Sequence, residues 1–146
     1  MHFWYKFFTY LFYPFSFFYL FIRILNKKED PKRYKEKLSK IDAQRDEGFL
    51  IWFHVASVGE AMSILPLIEN FENDKNIKKI LITTITLSSA QILKKKYDYS
   101  KKIVHQFLPL DVPIFVNKFL NYWKPNLAIF IDSEIWPNLI FDIKKK

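Results

Sequence analysis

Phe49-Leu50-Ile51-Trp52-Phe53-His54-Val55-Ala56-Ser57-Val58-Gly59-Glu60 is the stretch on which the fold turns. Residues 49–55 form a nearly unbroken apolar run, as a strand buried on both faces of a parallel sheet requires, and residues 60–71 follow with apolar positions at helical spacing. The strand-then-helix pattern recurs downstream as 79–85 with 88–97, as 103–107 with 113–123, and as 126–131 with a final helix from about Trp136. Strands alternating with helices of this length predict right-handed crossovers and an α/β fold, a Rossmann-like parallel sheet over 49–146. The strand-to-helix connections 56–59, 86–87, 108–112 and 132–135 then share the carboxyl edge of the sheet, where open α/β sheets bind ligands.

Composition narrows what this sheet can do. A chain of 146 residues, 50% hydrophobic and 26% charged, has one core and is neither disordered nor collagen-like. The absence of cysteine excludes a disulfide framework, a thiolate zinc site and a cysteine nucleophile, and fits a reducing compartment. With only Gly48 and Gly59 in the whole sequence, neither a dinucleotide fingerprint nor a phosphate-cradling glycine loop can be written. His2, His54 and His105 lie about fifty residues apart without helical metal-ligand spacing, so no metal site is expected. A serine-hydrolase reading of His54 and Ser57 fails because Val55 stands where a nucleophile elbow needs glycine.

Upstream of the sheet the character changes. Of the 28 aromatic residues, 13 fall within positions 1–25. The 16 residues between Lys6 and Arg23 carry no charge; as helix they would measure about 24 Å, short of the roughly 30 Å hydrocarbon core, which 3–25 would reach. Pro14 would kink such a helix, and Tyr and Trp favour the headgroup level, so a spanning helix and a shallow or re-entrant anchor both stand. The segment lacks the cleavage site of a signal peptide. Residues 26–40 carry seven basic against three acidic side chains, net +4. A basic stretch behind an aromatic anchor predicts a cytoplasmic location for the rest of the chain and attraction to anionic lipid, the alternative being a solvated helix face. The expected organisation is therefore an anchor at 1–25, a basic juxtamembrane segment at 26–48 and the sheet domain at 49–146.

Several motifs at the predicted sheet edge carry chemistry. Ser57 and Glu60 have the spacing of a capping box, and a carboxylate suits a helix amino terminus with or without catalysis. Alternatively Glu60 enters the cleft as a general base, Gly59 permitting a tight turn and close substrate approach. Thr83-Thr84-Ile85-Thr86-Leu87-Ser88-Ser89 gathers hydroxyls that serve either as caps or as contacts to a polyhydroxylated or phosphorylated ligand. Asp111, ahead of Pro113, reads as the cap of the helix that follows. Asp132-Ser133-Glu134-Ile135-Trp136-Pro137-Asn138 places two carboxylates, a Trp and an Asn after a buried strand, as a second site or as a capped helix start.

Taken in order, the aromatic segment, Tyr34-Lys35-Glu36-Lys37-Leu38, HVASVGE at 54–60, TTITLSS at 83–89, LPLDVP at 108–113 and SEIWPN at 133–138 resemble the 3-deoxy-D-manno-octulosonic acid (Kdo) transferases, across essentially the whole chain. The resemblance implies the amino-terminal, acceptor-side domain of a GT-B glycosyltransferase preceded by a membrane-anchor helix. It implies inverting, metal-independent transfer of Kdo from CMP-Kdo to a lipid A precursor (lipid IVA), without a cofactor, at the cytoplasmic face of the bacterial inner membrane. Glu60 would be the base, with Ser57 and Gly59 shaping its loop and Thr86, Ser88, Glu134 and Asn138 near the acceptor. Lys32, Arg33 and Lys35 are inferred to meet acceptor phosphates at the membrane surface. The family's CMP-Kdo-binding domain has no counterpart in these residues, so it is expected in cis or in trans. Nucleic acid is not an expected partner. An inert membrane-surface binding module, or a nonfunctional truncation, that keeps the fold is the alternative.

Overall fold

The computed structural model describes residues 2–131 and 134–144. Two helices, α1 (His2–Leu11) and α2 (Phe15–Leu25), precede a 3₁₀ helix at Tyr34–Leu38. Strand β1 (Phe49–His54) leads to α3 (Val58–Ser63) and α4 (Leu65–Asn73), β2 (Ile77–Thr84) to α5 (Leu87–Tyr97), and β3 (Ile103–Phe107) to α6 (Pro113–Trp123). Strand β4 (Leu127–Phe130) precedes α7 (Pro137–Ile143). The chain forms two compact units: Met1–Ile41 with Pro109–Tyr122 and Glu134–Lys146, and Asp42–Leu108 with Trp123–Ser133.

The second unit holds the sheet, whose strand order is β3-β2-β1-β4 with every pair parallel. Alternation divides its side chains. Ile51, Phe53, Val55, Ile80 and Ile82 form one apolar cluster with Ala61, Ile64, Leu65, Ile68 and Leu93, while Leu50, Trp52, His54, Leu81 and Thr83 point the other way and are also fully buried. Burial on both faces is why the strand sequences read as continuous apolar runs rather than alternating ones. Both tryptophan N–H groups placed there are bonded: Trp52 Nε1 donates to Thr83 Oγ1 at 2.8 Å, and Trp123 Nε1 donates to Gln106 Oε1 at 2.9 Å.

Two further devices trim this unit. Gly48 enters β1 at φ +112°, a region that L side chains rarely adopt. Lys102 closes α4 by donating from Nζ to the carbonyls of Phe71, Glu72 and Asp74 at 3.0, 2.6 and 2.6 Å, a cation where the helix dipole is negative.

The helix expected over 60–71 is two helices that meet at Ile64. Pro66 is the cause: it has no N–H to give to Met62, and its ring collides with that carbonyl in a continuous helix, whereas at the start of α4 neither matters.

In the first unit, the kink expected at Pro14 divides the aromatic segment into two helices. The segments Phe3–Leu11 and Phe15–Leu25 bend by 66° where Pro14 interrupts the ladder. Among the described residues no single helix is long and apolar enough to cross a membrane, although this bent pair meets the length and composition together. The basic segment is partly internal. Glu29 Oε1 accepts from Arg23 Nε at 2.6 Å and from Lys37 Nζ at 2.7 Å, with Glu29 and Lys37 both buried. Burial pulls the Lys37 ammonium below the ordinary lysine value while Glu29 opposes that shift. Ser39, at φ +55°, donates its hydroxyl to the Phe115 carbonyl at 2.7 Å.

Candidate functional site

The strand order locates the switch point of the sheet. The chain runs outward from β1 through β2 to β3 and then returns to the opposite side of β1 for β4, so the topological switch point lies between β1 and β4. At such a point the connections leaving the strands diverge and open a crevice at their carboxyl ends. His54 pairs in register with Phe130 there, with the rings 5.6 Å apart.

Glu60 follows from the first of these strands. Val55 N still donates to Thr83 O at 3.1 Å, after which the chain turns away and Ser57 caps α3. The capping box expected from the spacing is complete. Glu60 N donates to Ser57 Oγ at 3.2 Å, and Glu60 Oε2 accepts from Ala56 N at 2.8 Å and Ser57 N at 3.4 Å. These amides, Ala56 foremost, hold the Glu60 carboxyl below its ordinary value against a smaller opposing effect of burial; His54 adds a minor attraction. Glu60 is thus ionised at neutral pH and fixed through one oxygen. Among the described residues no hydrogen bond is made to Oε1, and the side chain is half-exposed.

Gly59 differs from expectation in one respect. Its backbone is helical, so no tight turn demands glycine. What it leaves is room: a Cβ there would meet nothing nearer than Ser57 Oγ at 4.0 Å. The open space lies at the first turn of α3, one residue before Glu60 in sequence.

Thr86 is the N-cap of α5, accepting from Ser89 N at 3.3 Å and sharing a hydrogen bond with Ser89 Oγ at 2.7 Å. Ser89, fully buried, also donates to the Ala56 carbonyl at 3.5 Å, tying the loop after β1 to the loop after β2. Sequence reasoning missed this tie, although Ser89 lies at the capping spacing from Thr86. Thr86 and Ser88 are exposed, so Ser57, Gly59, Glu60, Thr86 and Ser88 line the carboxyl edge of one unit.

The remaining expected residues lie in the other unit. Glu134 is exposed; Asp132 and Ser133 lie outside the described residues. Asn138 is fully buried, and its carboxamide donates to the Asp111 carbonyl at 2.7 Å and to Thr9 Oγ1 at 2.9 Å, so it holds α7 rather than facing a ligand. Asp111 caps α7, not the α6 that follows it in sequence: Oδ2 accepts from Asn138 N at 3.1 Å and Oδ1 from Leu139 N at 3.0 Å. A partner 27 residues away leaves no local signal. Arg33 is held by Glu36 through Nε at 2.6 Å and Nη2 at 3.0 Å, whereas Lys32 and Lys35 are exposed. Among the described residues no three His, Cys, Asp or Glu side chains could hold a metal ion together.

Comparison with known proteins agrees with the motifs. A family model described as 3-deoxy-D-manno-octulosonic-acid transferase (kdotransferase) matches residues 32–146. The chain is 44% identical over 142 residues to a 3-deoxy-D-manno-octulosonic acid transferase of Rickettsia bellii, covering 97% of this chain and 34% of that protein. It is 40% identical over 118 residues to a probable mitochondrial transferase of that name from Arabidopsis thaliana, covering 81% and 26%. With the Haemophilus influenzae transferase it shares 36% over 93 residues, covering 64% and 21%. The chain thus spans about a third or less of the length of these relatives. A family match over residues 32–146, together with a four-stranded parallel α/β sheet, places the chain in the 3-deoxy-D-manno-octulosonic acid transferase family.

Proposed function

We propose that this chain is the acceptor-side domain of a GT-B glycosyltransferase of lipopolysaccharide biosynthesis that moves Kdo from CMP-Kdo to a lipid A precursor, lipid IVA, with inversion. The observation that carries the reading is Glu60: an ionised carboxylate at the switch-point edge, fixed through Oε2 by two backbone amides and open at Oε1. In the reaction an acceptor sugar hydroxyl attacks the anomeric carbon of Kdo, the bond from that carbon to the CMP phosphate breaks, and CMP leaves with the electron pair. The hydroxyl proton passes to Glu60 Oε1. A carboxylate held below its ordinary value is a weak base, but the hydroxyl becomes strongly acidic as its oxygen bonds to carbon, so the transfer occurs late and downhill. No metal and no cofactor enters this scheme.

The amide groups that bind Oε2 set the direction of the carboxylate, so little reorganisation remains at the moment of transfer. Exposed Thr86 and Ser88 are placed for sugar hydroxyls, Glu134 for the acceptor, and Lys32 and Lys35 for its phosphates. Exposed Phe3, Trp4, Phe7 and Phe8 suit an interfacial contact at the cytoplasmic face of the bacterial inner membrane. The CMP-Kdo-binding domain is supplied in cis or in trans. A second reading, an inert membrane-surface binding module, draws on the complete capping box, which would keep Glu60 without catalysis.

The test is transfer of labelled Kdo from CMP-Kdo to lipid IVA in detergent micelles, with this chain alone and with a separately expressed donor domain from a full-length relative. Activity only in the mixture, falling by about 10²- to 10⁴-fold in Glu60→Gln, is the expected result. Full transfer by Glu60→Gln would refute the base assignment. An inactive mixture that still binds lipid IVA, beside an active full-length control, would favour the inert module.

A further inference from the structure

Helix α7 begins without help from its own N-cap. Trp136 offers no side-chain acceptor and Pro137 has no N–H, so the first-turn amides need partners from elsewhere. Asp111 supplies both oxygens, one to Asn138 N and one to Leu139 N. The same carboxylate is bound from a third direction: Tyr5 OH on α1 donates to Asp111 Oδ2 at 2.9 Å. Four residues further along α1, Thr9 Oγ1 accepts from Asn138 Nδ2 at 2.9 Å, and the Asn138 carboxamide also reaches the Asp111 carbonyl. Two side chains of α1 therefore hold the cap of a helix more than a hundred residues later. Asp111 and Asn138 are buried, so these bonds are shielded from water and costly to leave unmade.

Lys6 adds an ion pair to the buried Asp142 of α7 at 3.7 Å, whereas four aromatic side chains of α1 face outward. Phe3 is 73% exposed, Trp4 62%, Phe7 53% and Phe8 61%, while shortly before α7 stand the exposed residues Glu134 and Ile135, followed by the half-buried Trp136. One end of the network is an aromatic surface; the other is a proposed acceptor contact.

We propose that the Tyr5–Asp111–Asn138 network couples lipid contact by α1 to the order of residues 134–136, so that the acceptor segment is set when the chain sits on a membrane. The inference rests on the reading of α1 as lipid-facing and of Glu134 as acceptor-side. A surface that binds the docked form of α1 suppresses its local opening, and every bond that requires the docked form is protected with it. Tyr5 and Asp111 act here as positioning residues and touch no substrate.

Hydrogen exchange on the 146-residue chain tests this without any transfer assay, so it stands apart from the assignment of Glu60. The chain is compared free and bound to vesicles of phosphatidylethanolamine and phosphatidylglycerol, with binding followed by cosedimentation. Vesicles are expected to slow exchange at Asn138 and Leu139 by roughly two- to tenfold, the span of one hydrogen bond. Tyr5→Phe keeps the aromatic ring and is expected to bind vesicles equally while losing that slowing; Thr9→Val should behave alike and serves if Tyr5→Phe does not fold. Equal slowing in both variants, or none in the bound native chain, overturns the coupling. Failure of the native chain to bind vesicles removes the lipid-facing reading and the coupling with it.

Discussion

Gly59→Ala separates stability from function at the candidate site. Glycine within a helix costs about 0.5–1 kcal/mol relative to alanine, and the first turn of α3 takes the lower end of that range. Nothing in the surroundings opposes the added methyl: the backbone is helical, and its nearest neighbour would be Ser57 Oγ at 4.0 Å. The variant should therefore gain about 0.5 kcal/mol, or roughly 1–2 °C in Tm for a chain of this size. If the open space at Gly59 is where the acceptor sugar lies, that methyl occupies substrate space. KM for lipid IVA should then rise about tenfold in the donor-supplemented assay, the cost of one misplaced contact of about 1.4 kcal/mol. Urea denaturation and transfer kinetics on the same preparation give both numbers. Higher stability with unchanged KM would show that the space is not acceptor space. A loss of more than about 1 kcal/mol would refute the description of α3 itself.

Other perturbations test the frame around the site. Lys102→Met leaves the carbonyls of Phe71, Glu72 and Asp74 without their shared cation and should cost about 1.5–3 kcal/mol by urea denaturation; a change below about 0.5 kcal/mol would show that the cap is idle. Gly48→Ala forces a Cβ to within 2.5 Å of Lys78 Cγ at φ +112° and should cost about 1–3 kcal/mol, and a neutral result would contradict that backbone angle. The Glu60 carboxyl, held low by the Ala56 amide, contributes stability above the ordinary glutamate value that is lost as pH falls through its folded value. Glu60→Gln should therefore be less stable than the native chain above the ordinary glutamate value, the gap closing as the pH falls below it in urea titrations; a gap that widens in acid would reverse the sign.

The sheet was legible because its signal is local and repeated. Residues 49–55 and 79–85 are mostly apolar because both faces are buried, with His54, Lys79, Thr83 and Thr84 as the polar exceptions, and β1 and β2 occupy nearly those bounds. Prolines override the periodicity at two places: Pro66 splits the first crossover helix against expectation, whereas Pro14 breaks the aromatic segment where a kink was expected, although the apolar pattern continues through both. Strand order was not legible. Nothing along the chain says that β4 returns to the far side of β1, and it is this return that puts the topological switch point at the end of β1.

The site was legible to the same depth and no further. Ser57 and Glu60 announced a capping box because both halves lie within four residues, and the box forms. Whether Glu60 caps or catalyses was left open by the spacing, and the geometry shows why the alternatives are compatible: Oε2 meets the amides while Oε1 faces away from them. Asp111 and Asn138 lay beyond local reading. Each looked like a helix cap or a ligand contact beside its own proline, yet together they form one buried network with Tyr5 and Thr9, drawn from segments that no pattern connects. Local spacing thus reached the caps whose two halves lie close in sequence, and only long-range packing assigned the others: the Glu60 carboxylate is bound by backbone amides through one oxygen, whereas the Asp111 carboxylate caps another helix through both and takes a tyrosine hydroxyl as well.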